Sequence, residues 1–411
     1  MSKVKIFNDP VHGFISVPQN FILELIEHPY FQRMRRIKQL GLTELVYPGA
    51  LHTRFHHALG AFHLMTSAVD TLRHKGIDIS ESEKEAAQAA ILLHDVGHGP
   101  FSHALERSIV KDGDHEEVSS IIMQSINQNL NHQLEKAIEI FDHAGSNQFL
   151  HELIASQLDV DRLDYLSRDS FYTGVSEGVI GLERIIKMMN VHNDRLCVEH
   201  KGIYSVEKFL VSRRLMYWQV YLHKTVVAAE KLLLKILERA QALAEQDVEL
   251  FATPAFKFFL YNKISKSDFR TNQKVLDNFA DLDDHDLMVS IKCWTQHQDQ
   301  TLATLCQNLV DRKLLKTEIS DIPFSNEYID NLRVKASHKL KIPEDEAHYF
   351  VFSNTISNEA YIPKKDSNIN ILMKENEVMD IAKASDQYNI SALSKSVEKY
   401  FICYPSVLTL N

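Results

Sequence analysis

The chain has 411 residues, a length that suggests one large domain and a smaller lobe. Of these residues 45% are hydrophobic and 24% are charged, which is typical of a soluble globular protein. The net charge of −10 argues against a general nucleic-acid-binding protein, and no apolar run approaches the roughly 18–20 residues of a membrane-spanning helix. The N-terminus lacks the apolar stretch of a signal peptide and the four cysteines form no CxxC pair, so we expect a cytoplasmic protein without disulfides or a zinc-thiolate site.

Helical patterns dominate the first 240 residues. After an extended start, short helices are predicted at about 21–26 and 31–40, and a longer one at about 53–74, where apolar residues recur at helical spacing. The next predicted helix, at about 82–94, begins with Ser82 and Glu85 in the pattern of a capping box. Further helices are predicted at about 115–129, 131–142, 147–158 and 204–243.

Residues 245–335 also look helical, and the sequence changes character after them. Three segments, at 348–354, 359–363 and 369–373, have strand-like composition and are separated by polar loops. A helix at 391–400 and a last strand at 401–405 are predicted to follow. The sequence therefore predicts a mainly α fold, with a helical core at 1–335 and a small α+β C-terminal lobe at 336–411.

The first motif that carries chemistry is LLHDVGHGPFSH. His94 and Asp95 stand at the end of an apolar helix, and imidazole nitrogens and carboxylate oxygens both bind first-row divalent ions. The glycines and proline that follow turn the chain, so His98 and His103 can face the same cavity. A lone His-Asp pair is usually a cap or a core feature, but three histidines, an aspartate and two glycines in ten residues indicate a functional site.

The second motif is HTRFHHALG. On a helix, Arg54 and His57 lie three positions apart on one face, which makes them candidates for phosphate and metal binding. The apolar stripe on the opposite face, 55–62, is expected to be core. His56 and His63 are interpreted as structural residues.

The third motif, SQLDVDRLDYLSRDS, places four aspartates among leucines. A solvated acidic helix face accounts for Asp159 and Asp164, and spacing alone leaves the choice of a metal ligand open. Two histidines and two aspartates would balance the charge of a divalent ion and leave positions for water and a phosphate, as a hydrolytic metal requires.

Taken together, these motifs resemble those of the HD-domain deoxynucleoside triphosphate (dNTP) triphosphohydrolases, including the animal SAM-and-HD-domain enzymes and their bacterial relatives. The resemblance runs from residue 5 to about residue 225, and no SAM domain is expected ahead of it. It implies an HD-domain helical core and hydrolysis of a dNTP at the α-phosphorus, giving a deoxynucleoside and inorganic triphosphate. The matching segments are KIFNDPVHG, FQRMRRIKQLG, YPGALHTRFHHALG, LLHDVGHGPFSH, LDVDRLDYLSRD and VYLHK.

The resemblance also implies roles for single residues. The implied metal ligands are His57, His94, Asp95 and Asp161. The implied catalytic residues are His98, Glu106 and His115, which handle water and protons, and His103, which lies near the scissile phosphate. The implied substrate residues are Arg54, Arg162 and Arg213 on the triphosphate, and Gln39, Tyr165, Asp169 and Tyr221 around the sugar. Glu106 replaces an aspartate of the family, and Arg162 replaces a lysine with a planar cation.

A separate set of residues resembles a regulatory site. The residues that match those binding an activating guanine nucleotide, GTP or dGTP, are Lys5, Ile6, Asn8, Glu27, Gln32 and Arg35. His223 and Lys224 match contacts to a second regulatory nucleotide. Glu27 stands in place of an aspartate and Phe14 in place of a histidine. Since the family's regulatory sites lie between subunits, a homodimer or homotetramer is expected.

Two other functions are compatible with the motifs. One is a different HD-type nucleotidase or phosphodiesterase, against which the three arginines argue, because such enzymes need a less elaborate triphosphate clamp. The other is a non-catalytic module that senses nucleotides or binds nucleic acid, against which the intact ligand set argues. The His/Asp ligands suit Fe, Mn, Zn, Ni or Mg, so the sequence predicts a divalent metal ion without naming it.

Overall fold

Helices make up most of the protein, whose computed structural model describes residues 4–101, 110–111, 115–145, 147–358, 361, 368–386 and 397–409. The helices are α1 (Phe21–Glu27), α2 (Pro29–Gln32), α3 (Arg54–His74), α4 (Glu81–Leu93), α5 (His115–Asn129), α6 (Glu135–Phe141), α7 (Gln148–Glu152), α8 (Val160–Thr173), α9 (Leu182–Met188), α10 (Ile203–Met216), α11 (Lys224–Ala244), α12 (Pro254–Tyr261), α13 (Lys266–Thr271), α14 (Gln273–Asp281), α15 (Asp284–Trp294), α16 (Gln300–Val310), α17 (Asn326–Leu340) and α18 (Ile381–Ala384). This content confirms the predicted mainly α fold.

The strands form small sheets around the helices. They are β1 (Val4–Asp9), β2 (Gly13–Pro18), β3 (Val110–Lys111), β4 (Met189–His192), β5 (Arg195–Glu199), β6 (Ile264–Ser265), β7 (Lys316–Ser320), β8 (Phe352–Asn358), β9 (Asn370–Leu372), β10 (Val378–Asp380) and β11 (Val397–Tyr404). β1 and β2 form an antiparallel hairpin, β3 pairs with β6 in parallel, and the larger sheets have the orders β10-β9-β5-β4 and β7-β11-β8.

Helix α3 carries residues of the second motif and packs against both α4 and α8. Phe55, Leu59 and Phe62 are 3%, 5% and 1% exposed, which confirms that this stripe belongs to the core. The three helices carry the His-Arg motif, the His-Asp motif and the aspartate motif, respectively. Their packing therefore brings together residues that are more than 100 positions apart in the sequence.

Two local predictions, one of a helix start and one of an unbroken helix, were wrong. The capping box of α4 is formed by Ser80 and Glu83, because the helix begins at Glu81, so Ser82 and Glu85 lie inside it. The single helix predicted at 204–243 is interrupted at Tyr217–Tyr221 by a π-turn. It starts again as α11, with the His223 side chain accepting the Thr225 N–H as an N-cap.

The predicted C-terminal lobe shares its sheets with the rest of the chain. β9 pairs in parallel with β5, and β11 pairs with β7, so strands on both sides of residue 335 are joined by backbone hydrogen bonds. The boundary at 335 remains a prediction. The helix predicted at 391–400 was wrong over its last four residues, which belong to β11, while 391–396 lie outside the described residues. Within the described chain, no helix is both long and apolar enough to span a membrane.

Candidate metal centre and substrate cavity

His57 is held in the first turn of α3. Thr53 caps this helix together with the side chain of His56, which confirms the structural interpretation of His56. The His57 imidazole is fully buried, and its Nδ1–H donates to Oδ2 of Asp164 at 2.7 Å. Because the carboxylate can only accept, this bond directs Nε2 towards the opposite side, where a ligand atom is needed.

His94 caps the C-terminal end of α4. Its Nδ1–H donates to the Ile91 carbonyl oxygen at 2.6 Å, which fixes the orientation of the ring. The Nε2 atoms of His94 and His57 are 3.4 Å apart. Both imidazoles therefore present the same nitrogen to one point.

Asp161 completes a cluster at that point from the first turn of α8. Its Oδ1 lies 3.0 Å from His57 Nε2 and 3.4 Å from His94 Nε2. Ligand atoms of the three residues lie within 4.8 Å of one another, so the cluster could hold a metal ion. Two imidazole nitrogens and a carboxylate oxygen are a donor set that suits a first-row divalent ion.

The Asp95 carboxylate lies beside this cluster and contacts His94, His98 and Arg54. Its Oδ1 is 3.4 Å from His94 Nε2 and 3.3 Å from His98 Nε2, while Oδ2 accepts from Arg54 Nη1 at 2.5 Å. The distance from Oδ2 to His57 Nε2 is 3.8 Å. Asp95 is thus near enough to serve as a fourth ligand, and Arg54 fixes the carboxylate in place.

The electrostatics of the cluster favour a bound cation. Burial by itself lowers the pKa of His57, but hydrogen bonds with Asp161 and Asp164 outweigh burial and raise this pKa to about 10. The pKa of His94 is raised in the same way by Asp95 and Asp161, against the effect of burial. Carboxylates that draw protons onto two buried imidazoles draw a divalent ion to the same place, with release of those protons.

Two of the predicted catalytic residues, His98 and His115, lie beside the cluster. His98 is 4% exposed, and its ring stacks on that of His115 with centroids 3.9 Å apart and 16° between the planes. The structure therefore brings these two predicted residues together. His103 and Glu106 lie outside the described residues.

A cavity of about 1470 Å³ opens from the cluster. It is larger than the ~300–1000 Å³ of most ligand pockets, so a whole nucleotide fits. The predicted site residues on its wall are Gln39, Arg54, His94, Asp95, His98, His115, Asp161, Arg162, Tyr165, Asp169 and Tyr221.

Two of the predicted triphosphate arginines line this cavity, and the third lies behind it. Arg162 is held by an ion pair with Asp159. Arg213 is 8% exposed and lies 5.9 Å from the ring centre of Tyr217, a cavity residue. Among the described residues, Nε and Nη1 of Arg213 have no hydrogen-bond partner. A buried cation with free donors is suited to binding an anion.

The predicted sugar residues form a second polar group. Asp169 accepts from the Tyr221 hydroxyl at 2.7 Å and from His52 Nε2 at 2.7 Å. The rings of Tyr165 and Tyr221 meet edge to face, with centroids 6.3 Å apart. Within the described structure, the buried Oε1 of Gln39 has no hydrogen-bond partner. Sequence reasoning missed His52, which is the first residue of the second motif.

The interpretation of Asp159 and Asp164 as a solvated face was wrong, since both are 0% exposed. Asp159 caps α8 by accepting the Arg162 N–H. Asp164 orients His57 and pairs with Arg168, four residues later on α8. The spacing of Asp161 and Asp164, three positions apart on one helix face, is the signal that could have identified Asp164.

The residues predicted to bind regulatory nucleotides lie at the surface. Lys5, Ile6 and Asn8 are exposed on β1, and Glu27 ends α1. The Arg35 Nε–H donates to Gln32 Oε1 at 2.8 Å, so these two predicted residues are in contact. His223 caps α11, and the exposed Lys224 is its first residue.

Comparisons with known proteins agree on one family. The HD domain family matches residues 54–169 and the HD associated region matches residues 180–253. The chain is 36% identical over 324 residues to the protein named Uncharacterized protein YwfO from Bacillus subtilis, covering 77% of this chain and 72% of that protein. A solved structure of a phosphohydrolase from Bacteroides thetaiotaomicron is 52% identical, with a TM-score of 0.94, and the match covers 98% of this chain and 100% of that one.

Some relatives carry a named activity. The protein from Dictyostelium discoideum named Deoxynucleoside triphosphate triphosphohydrolase SAMHD1 homolog is 34% identical over 241 residues, which is 54% of this chain and 46% of that protein. The match thus spans about half of the named enzyme.

Proposed function

The chain belongs to the HD-domain phosphohydrolase family, and from that premise we propose that it is a metal-dependent dNTP triphosphohydrolase. The proposed reaction converts a dNTP and water into a deoxynucleoside and inorganic triphosphate. The observation that carries the proposal is the shared cavity. His94 and Asp161 of the metal-competent cluster, Arg54 and Arg162, and the sugar group around Asp169 all line it.

The cluster is proposed to hold a divalent ion through His57, His94, Asp95 and Asp161. Its nitrogen and oxygen donors fit such an ion, and those of His57, His94 and Asp95 are each oriented by a second hydrogen bond or ion pair. When bound, the ion supplies a Lewis acid for a phosphate oxygen and lowers the pKa of a coordinated water. The donor set leaves Fe, Mn, Zn, Ni and Mg as candidates.

The arginines of the cavity are proposed to bind the triphosphate. Arg54 is fixed by Asp95 next to the cluster, so its charge lies where an α-phosphate would approach. Arg162 is on α8, one residue after Asp161, and Arg213 has free buried donors behind Tyr217. Fixed positive charge of this kind stabilises the charge that develops on the phosphate oxygens during transfer.

The sugar group is proposed to select a deoxyribose. Each oxygen of Asp169 accepts one hydrogen bond from the protein and keeps a lone pair for a sugar hydroxyl. The unpartnered Oε1 of Gln39 offers a second acceptor on the same wall. The Tyr165 and Tyr221 rings pack closely against this position, so a ribose 2′-hydroxyl is proposed to be excluded.

His98 and His115 are proposed to handle protons. Cleavage of the bond between the α-phosphorus and O5′ leaves an alkoxide oxygen that needs a proton, and the attacking water must lose one. His98 contacts Asp95, and its ring is stacked on His115, so an imidazole stands beside the cluster. Glu106 and His103 remain predicted members of this group.

Product analysis tests the proposal. We expect each active dNTP to yield deoxynucleoside and inorganic triphosphate, detected by phosphorus NMR or ion chromatography. Asp161→Ala and His94→Ala should lower turnover by at least about 10³-fold while the protein stays folded, because each removes a candidate metal ligand. Asp70→Asn, which changes a surface carboxylate paired with Lys84, serves as the control and should retain activity.

Three results would contradict the proposal. Release of pyrophosphate or monophosphate from every dNTP would indicate another HD-type nucleotidase or phosphodiesterase. Full activity in either ligand variant would exclude the metal assignment. Absence of any turnover, with tight nucleotide binding, would favour the non-catalytic sensing module.

Regulation is proposed at two groups of surface residues. One group is Lys5, Ile6, Asn8, Glu27, Gln32 and Arg35, and the other is His223 and Lys224. Their exposure and the contact between Gln32 and Arg35 are compatible with binding GTP or dGTP. The same assay with and without these nucleotides tests the activator, and light scattering tests the proposed homodimer or homotetramer. Location in the cytoplasm remains a prediction.

A further inference from the structure

The Asp164 carboxylate is surrounded by donors on every side. His57 Nδ1 and Arg168 Nε donate to Oδ2 at 2.7 and 2.9 Å. His12 Nε2 and Arg168 Nη2 donate to Oδ1 at 2.6 and 3.0 Å. These four bonds match the roughly four acceptor sites of a carboxylate, so the position of Asp164 is fully determined by its neighbours.

Three of these four hydrogen bonds, one from His12 and two from Arg168, depend on the turn of the β1–β2 hairpin. His12 belongs to the turn itself, and its side chain is 4% exposed. Arg168 donates with Nη1 to Oδ2 of Asp9 at 2.8 Å and with Nη2 to Oδ1 of Asp9 at 3.3 Å. Asp9 ends β1, so the hairpin contributes one donor to Asp164 and the counter-charge that holds another.

Asp9 also shapes the turn that carries His12. Its Oδ1 accepts the backbone N–H groups of Val11 and His12 at 3.0 and 2.9 Å. Gly13 closes the turn with a φ of +75°, a conformation that glycine adopts easily. One carboxylate therefore fixes both Arg168 and the backbone from which His12 reaches Asp164.

The network lies directly against the helix that carries His57. Gly60 is three positions after His57, and a Cβ built there would stand 1.9 Å from Asp164 Oδ1 and 2.2 Å from Arg168 Nη2. The ion pair therefore occupies the space that a side chain would fill on α3. Displacement of Asp164 is transmitted to the His57 ring through a single hydrogen bond.

We propose that His12 and Asp9 of the N-terminal hairpin are positioning residues of the metal centre, acting through Arg168 and Asp164 on His57. The inference rests on the proposed function, since it assumes that the cluster binds a divalent ion. Removing the hairpin's contacts frees the Asp164 carboxylate to move, and the Nε2 of His57 loses its direction. The N-terminal hairpin thus helps to orient a metal ligand, although the proposed ligands all lie beyond residue 56.

The test is Mn²⁺ binding by the full-length, metal-stripped chain, measured by isothermal titration calorimetry. His12→Ala should weaken Mn²⁺ binding by about 10- to 100-fold, the usual effect of losing a group that orients a metal ligand. Asp9→Asn is a second variant, which replaces one oxygen of the Arg168 pair by an amide and should also weaken binding. His12→Gln supplies a donor at a similar reach and should restore affinity to near that of the unmodified chain.

His63→Gln is the matched control. His63 packs its ring 5.4 Å from that of His12, at the same hairpin–helix contact, so the change perturbs packing without removing a donor to Asp164. Its Mn²⁺ affinity should stay within about twofold of the unmodified chain, against the 10- to 100-fold losses above. Thermal unfolding of each metal-stripped variant shows that it is folded before titration.

The outcomes separate the two proposals. If the unmodified chain binds neither Mn²⁺ nor Fe²⁺, Zn²⁺, Ni²⁺ or Mg²⁺, the metal centre and the proposed function both fail. If the unmodified chain binds Mn²⁺, and His12→Ala and Asp9→Asn bind equally well, the positioning role is overturned while the proposed function stands. A loss in His12→Ala that His12→Gln does not restore would also overturn the role assigned to the donor.

Discussion

The guanidinium of Arg33 is buried under the turn that follows the His-Asp pair. Its Nη1 and Nη2 donate to the carbonyl oxygens of Val96 and His98 at 2.8 and 2.7 Å, and its Cζ lies 4.5 Å from the ring centre of Phe279. Burial lowers the pKa of Arg33 to about 9, so the group is still charged at neutral pH. Arg33 therefore holds the backbone from which His98 reaches Asp95.

Replacing Arg33 should affect stability and turnover together. Arg33→Met removes both donors and leaves two buried carbonyl oxygens unsatisfied, which should cost about 3–5 kcal/mol in the free energy of unfolding. Turnover should fall more than the KM for dNTP rises, because the change displaces His98. Urea unfolding and steady-state kinetics measure the two effects. Arg73→Met, whose exposed pair with Glu81 is worth at most about 1 kcal/mol, is the control. Equal kcat in both variants would exclude this role for Arg33.

The four aspartates of α8 show what a single sequence can and cannot assign. Their place on a helix was predictable from leucine spacing, and the ligand role of Asp161 stays a prediction that the geometry accommodates. The spacing placed Asp164 on the same helix face as Asp161, but the buried contact of Asp164 with His12 was not predictable, because His12 lies 152 positions away. Whether a carboxylate among leucines is solvated or buried depends on contacts with residues distant in the sequence, and helical periodicity does not indicate such contacts.

Elements were predictable where their signals are local. α3, α4 and α5 follow apolar spacing, and they occur within a few residues of their predicted bounds. The interruption of the predicted helix 204–243 depends instead on tertiary contacts. The π-turn is closed by the Leu222 N–H on the Tyr217 carbonyl oxygen, and it places the Tyr221 hydroxyl on Asp169. Such turns are frequent at functional sites, and no local propensity marks this one.

Helix α11 is joined to the C-terminal region by charge. Arg239 donates to Asp299, the N-cap of α16, and to Glu346. Burial raises the pKa of Asp299, but hydrogen bonds from Arg239 and the Leu302 N–H outweigh burial and lower it. A lowered carboxylate pKa contributes stability above the unfolded pKa of about 4, and the contribution is lost as the pH falls through the folded pKa.

We therefore expect Asp299→Asn to act in a pH-dependent manner. Asparagine keeps the N-cap but loses the ion pair, so the free energy of unfolding should fall by about 1–2 kcal/mol at pH 7. The difference from the unmodified chain should shrink below about pH 4, where the aspartate itself becomes protonated. Urea unfolding across this range measures it. Asp330→Asn, in an exposed pair with Arg333, should change little at any pH, and a constant penalty for Asp299→Asn would argue against the ion pair.

At the scale of the whole molecule, the region after residue 335 closes the core. Its buried side chains include Phe350, Val351, Ile371, Phe401 and Ile402, each 0% exposed. Ile371 pairs with Val198 in a sheet that α3 contacts through β4, so the C-terminal strands reach the helix that carries His57. The predicted lobe is thus part of the structure that supports the site.

A chain that ends at residue 335 should consequently be unstable. Each large apolar side chain that loses its cover costs about 1.5–3 kcal/mol, and several such losses are comparable with the ~5–15 kcal/mol that stabilise a typical domain. We expect residues 1–335 to aggregate or to melt roughly 10 °C or more below the full chain, measured by circular dichroism and size-exclusion chromatography. Addition of 336–411 as a separate polypeptide should restore part of the stability, since β9 and β11 pair with strands of the larger fragment. If 1–335 instead melts cooperatively at the temperature of the full chain, the C-terminal region is an independent domain, and its strands only rest on a core that is complete without them.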